Sequence, residues 1–260
     1  MNPNSPEIQI VYNAHKRDAG TIPQLLSSQG LRYSLIPNHE FVQLRPQLVS
    51  KHLIVLGGPQ SVTEVADSDT LKLLQRIEFY AHHGYSVFGI CLGAQILARV
   101  FGAKVVRHRL GAREIGYHRL YQIAPITNLH LPEGHYYNWH YDVIEEFREA
   151  RVLMRSELTS IQAFSVGNNI FGVQFHPEID LKTIRLFVKM GAHRLGDFGA
   201  QSASDQIAAH QLYAQRNKAR LRAALFRWLS RKHQQKAAAV ASPVRSSTQS
   251  TAVPRPSLGR

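Results

Sequence analysis

Ser86-Val87-Phe88-Gly89-Ile90-Cys91-Leu92-Gly93-Ala94-Gln95 is an apolar, β-rich run that meets a cysteine set between two glycines and then turns helical in pattern. An apolar run this short, bounded by small residues, predicts a buried strand over Ser86–Ile90, and the spacing that follows predicts a helix over Leu92–Phe101. A residue between strand and helix with glycine two places away on each side has the spacing of a nucleophile elbow. In such an elbow a strained turn lifts a reactive side chain above the sheet. At the helix start, unpaired amides and the helix dipole favour a thiolate over a thiol. Cys91 is therefore a candidate nucleophile, and its competing reading is a small buried hydrophobe.

Upstream of the elbow, Ile8–Tyr12 and Leu53–Leu56 read as further strands and Asp67–His82 as a helix. This alternation predicts an α/β fold with an open, mostly parallel sheet and helices on both faces. Ligands of such sheets collect beyond the carboxyl ends of the strands, where Gly57-Gly58-Pro59 and the elbow both fall. From residue 103 onward the pattern changes to closely spaced β-like runs, which predict extra antiparallel strands. These runs are Ala103–Arg107, Glu114–Ile123, Tyr136–Tyr141, Val152–Arg155, Ile161–Ser165 and Ile170–Phe175, with Val166-Gly167-Asn168-Asn169 as a hairpin turn. A helix over Leu181–Met190 follows. Asp205–His233 reads as a basic helix with Ile207, Leu221, Leu225, Trp228 and Leu229 broadly on one side. The expected organisation is a domain over 1–200, a basic helical extension over 201–236 and a disordered tail over 237–260.

Charge divides the same way. Of 31 Lys/Arg and 18 Asp/Glu in the 260 residues, the last sixty hold 11 basic residues against Asp205 alone, which leaves 20 against 17 in the first two hundred. The net charge of +13 thus belongs mainly to the C-terminal segment. Ten excess charges of this kind could give salt-sensitive binding to nucleic acid or an anionic surface. The bland reading is a helix packed by its apolar side, followed by a solvated extension. A single cysteine excludes an internal disulfide and a multi-thiolate zinc site. No run approaches the roughly 18 apolar residues of a membrane span, so a soluble, cytoplasmic protein without membrane association is expected.

A second constellation bears on the cysteine. In Gly172-Val173-Gln174-Phe175-His176-Pro177-Glu178 a strand ends in a histidine followed two residues later by a carboxylate. A thiolate nucleophile needs an imidazole to shuttle its proton, and the imidazole needs an acid to orient it. Side chains at i and i+2 of an extended segment share a face, so Glu178 can approach His176. His130, His135 and His140 also lie close in sequence, but their spacing fits no metal motif.

With Leu56-Gly57-Gly58-Pro59 and Trp139-His140-Tyr141-Asp142, these segments give four separated pieces, in order, that resemble the class I glutamine amidotransferases, with roughly residues 5 to 195 covered. The resemblance implies a flavodoxin-like three-layer sandwich and a reaction in which glutamine loses its side-chain amide through a γ-glutamyl thioester. It implies Cys91 as nucleophile, His176 as general base and acid, and Glu178 as its orienting partner. Backbone amides of Gly58 and Leu92 would form the oxyanion hole, and Gly57, Gln95, Trp139, His140 and Tyr141 would contact substrate. No cofactor or metal is implied. The chain departs from the family pattern at Tyr141, where many members have glycine, and at Gln60, where glycine is frequent. The reading leaves three functions open: supply of ammonia to a separate synthetase, stand-alone hydrolysis of γ-glutamyl amides or peptides, and non-catalytic binding through the basic helix. Proteins resembling the chaperone and deglycase group share a cysteine elbow but lack the Phe-His-Pro-Glu segment.

Overall fold

The computed structural model describes residues 7–14, 18–44, 50–63, 68–124 and 131–230. The expected tail over 237–260, the end of the expected basic helix at 231–233, and His130 lie outside these residues. Nine strands form one sheet in the order β2-β1-β3-β4-β11-β10-β9-β6-β7. The strands are β1 (Ile8–Tyr12), β2 (Tyr33–Pro37), β3 (His52–Val55), β4 (Ser86–Ile90), β6 (Glu114–Gln122), β7 (Gly134–His140), β9 (Arg151–Arg155), β10 (Ala163–Val166) and β11 (Ile170–Val173). From β2 through β1, β3 and β4 to β11 the pairing is parallel, and beyond β11 it is antiparallel. β5 (Lys104–Arg107) and β8 (Asp142–Glu145) pair separately as an antiparallel ribbon.

The sequence pattern explains why β4 is central. All five of its residues are buried, as a parallel strand covered on both faces requires. Alternate residues feed two cores. Ile8, Ile10, Ile54, Phe88 and Ile90 pack with α1 (Ile22–Ser27) and α6 (Ala203–Leu229). Val11, Leu53, Val55 and Val87 pack with α3 (Ser68–His82) and α4 (Leu92–Val100) on the other face. The fold is the expected flavodoxin-like three-layer arrangement. The Gly167 turn also forms as expected, with φ +56° at the glycine and Val166 opposite Ile170 across the hairpin.

Three elements were not legible from pattern. β2 carries no fully buried residue, so it lacks the continuous apolar signal, and α1 and α2 (Asn38–Phe41) are too short to show a helical period. One expected strand is divided: Tyr136–Tyr141 ends in the main sheet at His140, and the chain crosses at Tyr141 into β8. α5 (Leu181–Met190) forms as expected, with the Asp180 side chain accepting from the Thr183 amide at its start.

α6 begins at Ala203, capped by Ser202, and ends at Leu229, short of the expected His233. Leu221, Leu225 and Trp228 are buried in the sheet core, as its apolar side predicts. The helix also buries Gln206, His210 and Asn217, which pattern did not mark. Each has a partner: Tyr137 donates to Gln206 at 2.8 Å, the Tyr117 hydroxyl meets His210 at 2.8 Å, and Asn217 donates to the His135 carbonyl at 2.9 Å. Among the described residues no helix is long and apolar enough to cross a membrane.

Candidate active site

The elbow exists because two glycines let three backbones touch. A Cβ on Gly89 would lie 2.5 Å from the Gly93 carbonyl, and one on Gly93 would lie 2.1 Å from the Val55 carbonyl of the adjacent strand. Between them Cys91 takes φ 51°, ψ −108°. A non-glycine residue held at such angles costs about 1–3 kcal/mol, and this strain must be over-determined by its surroundings. The fixing bonds are the Cys91 amide to the Val173 carbonyl at 2.8 Å and the Gln95 amide to the Cys91 carbonyl at 3.0 Å. Cys91 is 7% exposed.

Strand β11 delivers the second group. His176 follows it, its amide held by the Tyr137 carbonyl at 2.7 Å, and its Nδ1 lies 2.7 Å from Glu178 Oε1. Glu178 is held in turn through its backbone. Its carbonyl accepts from the Thr21 amide at 2.9 Å and the Thr21 hydroxyl at 3.2 Å, beside Gly20, whose φ of +54° and absent side chain allow the approach. Burial of the His176 ring opposes its charge. The Glu178 carboxylate and then Cys91 outweigh that burial and push the imidazole up to about 10. The two constellations found far apart in sequence are thus one unit in space.

Gly57 marks their meeting point. A Cβ there would lie 2.9 Å from His176 Cε1 and 3.3 Å from Cys91 Cβ. The added methyl must displace the imidazole, and misplacement of a catalytic group by about 1 Å can cost about 100-fold in rate. Gly57→Ala is accordingly expected to lower the activity that the resemblance implies, ammonia release from glutamine, by about 10- to 100-fold while leaving the thermal midpoint of unfolding within a few degrees of the parent's.

The remaining sequence candidates fall into distinct places. Gly58 sits against Leu92, whose Cδ2 would be 3.0 Å from an added Cβ, and Leu92 opens α4, where first-turn amides have no intrahelical acceptor. Gln95 is buried and donates to the Asp142 carbonyl and to Gln174 Oε1, both at 3.3 Å. Gln174 then donates through Nε2 toward Cys91 Sγ at 3.8 Å. The sequence motif contains Gln174 but assigns it no role. Its position two residues before His176 on an extended segment places it on the same face, and that is the signal by which it could have been found.

Trp139 presents its carbonyl 3.9 Å from Cys91 Sγ. Its indole meets the Phe187 ring at 5.3 Å in a tilted contact, and a Cβ on Gly191 would lie 2.3 Å from it. His140 is buried, with Nδ1 3.2 Å from the Asp142 carbonyl and Nε2 3.4 Å from Glu114 Oε2. Burial holds its imidazole down to about 4 against the opposing pull of Glu114. His140 is thus a neutral internal strut. Tyr141 is half-buried, with the guanidiniums of Arg107 and Arg194 each 4.7 Å and that of Arg113 5.4 Å from its ring centre. Among the described residues no group of three or more His, Cys, Asp or Glu side chains is placed to hold a metal ion.

The family model for glutamine amidotransferase class-I matches residues 12–188, a span that includes every candidate residue above. The chain belongs to the class I glutamine amidotransferases. This amidotransferase is 32% identical over 163 residues to a glutamine-hydrolyzing GMP synthase subunit of Thermoplasma volcanium, covering 60% of the present chain and 76% of that relative. In fold it is similar to a glutamine amidotransferase of Thermotoga maritima, with TM-score 0.76 and 22% identity over 87% of this chain and 99% of that one. A glutamine amidotransferase from Methylobacillus flagellatus is similar too, with TM-score 0.78 and 21% identity over 88% and 98% of the respective chains.

Proposed function

We propose that this amidotransferase releases ammonia from glutamine by acyl transfer to Cys91. The observation that carries the reading is the buried His176–Glu178 pair at 2.7 Å, set against a cysteine at strained elbow angles. The Cys91 thiolate attacks the side-chain carbonyl carbon of glutamine, and the amides of Gly58 and Leu92 bind the oxygen that becomes negative. His176 gives its proton to the departing nitrogen, and ammonia leaves a γ-glutamyl thioester. Water, losing a proton to His176, then attacks the thioester, which yields glutamate and restores the thiolate. Gln174 and Gln95 hold the sulfur in line without joining the proton transfers.

The Thermoplasma volcanium relative is one subunit of a synthase, which supports a further step here, delivery of ammonia to a separately encoded synthetase. The reading places the reaction in the cytoplasm, where a reducing poise keeps a nucleophilic thiol free. The test is ammonia release from glutamine by the purified chain, alone and with a candidate synthetase. Release that needs no partner identifies a stand-alone hydrolase, and release that appears only with the synthetase identifies one half of a two-chain enzyme. No release under either condition refutes the proposal.

His176 adds a pH signature. Its imidazole is raised from 6.5 in the ordinary state to about 10 in the folded one, so the folded chain holds a proton that the unfolded chain loses. The resulting stabilisation is complete below pH 6.5 and is lost as pH rises through about 10. Resistance of the parent to urea is therefore expected to decline across that window more steeply than that of His176→Asn. Parallel slopes in the two proteins would remove the charge pair from the account.

A further inference from the structure

Tyr141 stands at the crossing between β7 and β8, and three arginines surround it. They come from three parts of the chain: Arg107 ends β5, Arg113 precedes β6, and Arg194 ends a short 3-10 turn after α5. Their guanidinium carbons lie 4.7, 5.4 and 4.7 Å from one ring centre. A ring has two faces, so at least two of these cations share one. Like charges gathered this closely repel unless an anion joins them.

The protein supplies only part of that anion. Arg107 pairs with the buried Asp142 at 3.1 Å and Arg113 with Asp197 at 2.9 Å, while Arg194 meets His193 at 3.0 Å. Among the described residues, each guanidinium is engaged through one nitrogen, and Arg194 has no carboxylate partner. Each guanidinium carries five N–H donors in a fork that matches a carboxylate. Most of the donors in the cluster are thus left to face solvent or a ligand. Cation–π contact with Tyr141 holds the forks in place before any ligand arrives.

The chain that carries Tyr141 also reaches the reacting atoms. Trp139, two residues before Tyr141, puts its carbonyl 3.9 Å from Cys91 Sγ, and Asp142, the residue after it, accepts from Gln95. Two residues of chain span at most about 7 Å, which is on the scale of a glutamine side chain. A second path leads from the leaving-group side. The His176 ring meets Phe187 at 6.0 Å, Phe187 meets Trp139 at 5.3 Å, and Trp139 rests on Gly191, three residues before Arg194.

We propose that Arg107, Arg113 and Arg194, arrayed on Tyr141, form a carboxylate-binding subsite at the mouth of the Cys91 site. The subsite selects γ-glutamyl substrates by a carboxylate remote from the scissile bond. This rests on the reading of Cys91 as the γ-glutamyl nucleophile. The carboxylate is either the α-carboxylate of the γ-glutamyl group or one on the amine that leaves, and the two sources separate in one experiment.

Steady-state kinetics of the full chain would be measured with glutamine, with γ-glutamylglycine, which adds a carboxylate to the leaving group, and with glutamine α-amide, which lacks the α-carboxylate. Arg194→Ala is expected to lower kcat/KM by about tenfold or more for the recognised substrate, as loss of a charge-assisted bond predicts, and Arg194→Lys to recover part of it. A loss with glutamine and γ-glutamylglycine that vanishes with the α-amide assigns the α-carboxylate. A loss confined to γ-glutamylglycine assigns the leaving group. Equal losses on all three substrates, or changes below twofold on all three, overturn the subsite. Iodoacetamide labelling of Cys91 reads the nucleophile separately. A parent chain that labels yet hydrolyses none of the three overturns the function on which the subsite rests.

Discussion

Cys91→Ala is expected to abolish ammonia release from glutamine, by about a million-fold in kcat if removal of the nucleophile here costs what it does in other triads. The substitution is expected to leave the fold in place. Cys91 and Ala differ by one sulfur at a site held by backbone bonds to Val173 and Gln95, and those bonds do not involve the side chain. The sulfur's own contacts are long, 3.8 Å to Gln174 and 3.9 Å to the Trp139 carbonyl, so their loss removes little. The unfolding midpoint in urea should stay near that of the parent while activity vanishes. A variant that retained turnover near the parent level would place the chemistry elsewhere.

Trp228→Ala is expected to have the largest effect on stability, about 3–5 kcal/mol. The indole is fully buried in the main core, with its ring 5.1 Å from that of His52 and 5.7 Å from that of Phe88. Truncation leaves a cavity under β3 and β4, the two strands whose ends carry Gly57 and Cys91. Trp228→Phe is expected to cost much less. It keeps an aromatic ring and deletes an indole N–H that has no acceptor among the described residues, and a buried donor without a partner costs stability rather than adding to it. Urea unfolding of both variants checks the ordering. If Trp228→Ala matched the parent, α6 would be an appendage to the core rather than one of its layers.

Much of this architecture was legible because it rests on short-range signals. The β4 run, the glycine spacing about Cys91 and the i, i+2 relation of His176 and Glu178 are local, and local geometry suffices to interpret them. The union of the elbow with His176 was inferred from what a thiolate needs and from resemblance, not from any local pattern, since the parallel pairing of β4 with β11 joins segments some eighty residues apart. What stayed hidden is of three kinds. Support from distant loops, such as Gly20 and Thr21 beneath Glu178, leaves no periodic trace. Polar residues buried by mutual satisfaction, such as Gln206, His210 and Asn217, look like a solvated face by hydropathy alone. Residues whose partners converge from three elements, Tyr141 above all, have a role that no one segment encodes. The same residue was legible as a departure from the family pattern, but its arginine surroundings were not.

His140 shows a related limit. The resemblance placed it beside substrate, while its ring is enclosed by Glu114, Gln162 and the Asp142 carbonyl. The backbone on either side of it reaches the site: Trp139 offers a carbonyl to Cys91, and Asp142 receives Gln95. In the proposed mechanism His140 therefore acts through the course of the chain between β7 and β8 rather than through its ring.

The most direct test of the central claim is to mix the purified full chain with glutamine, quench in acid during turnover, and map the adduct by peptide mass spectrometry. The account predicts a γ-glutamyl group on the peptide bearing Cys91, discharged by hydroxylamine as a thioester is. Turnover of glutamine with the adduct on another residue, or with the Cys91 peptide never modified, would contradict it.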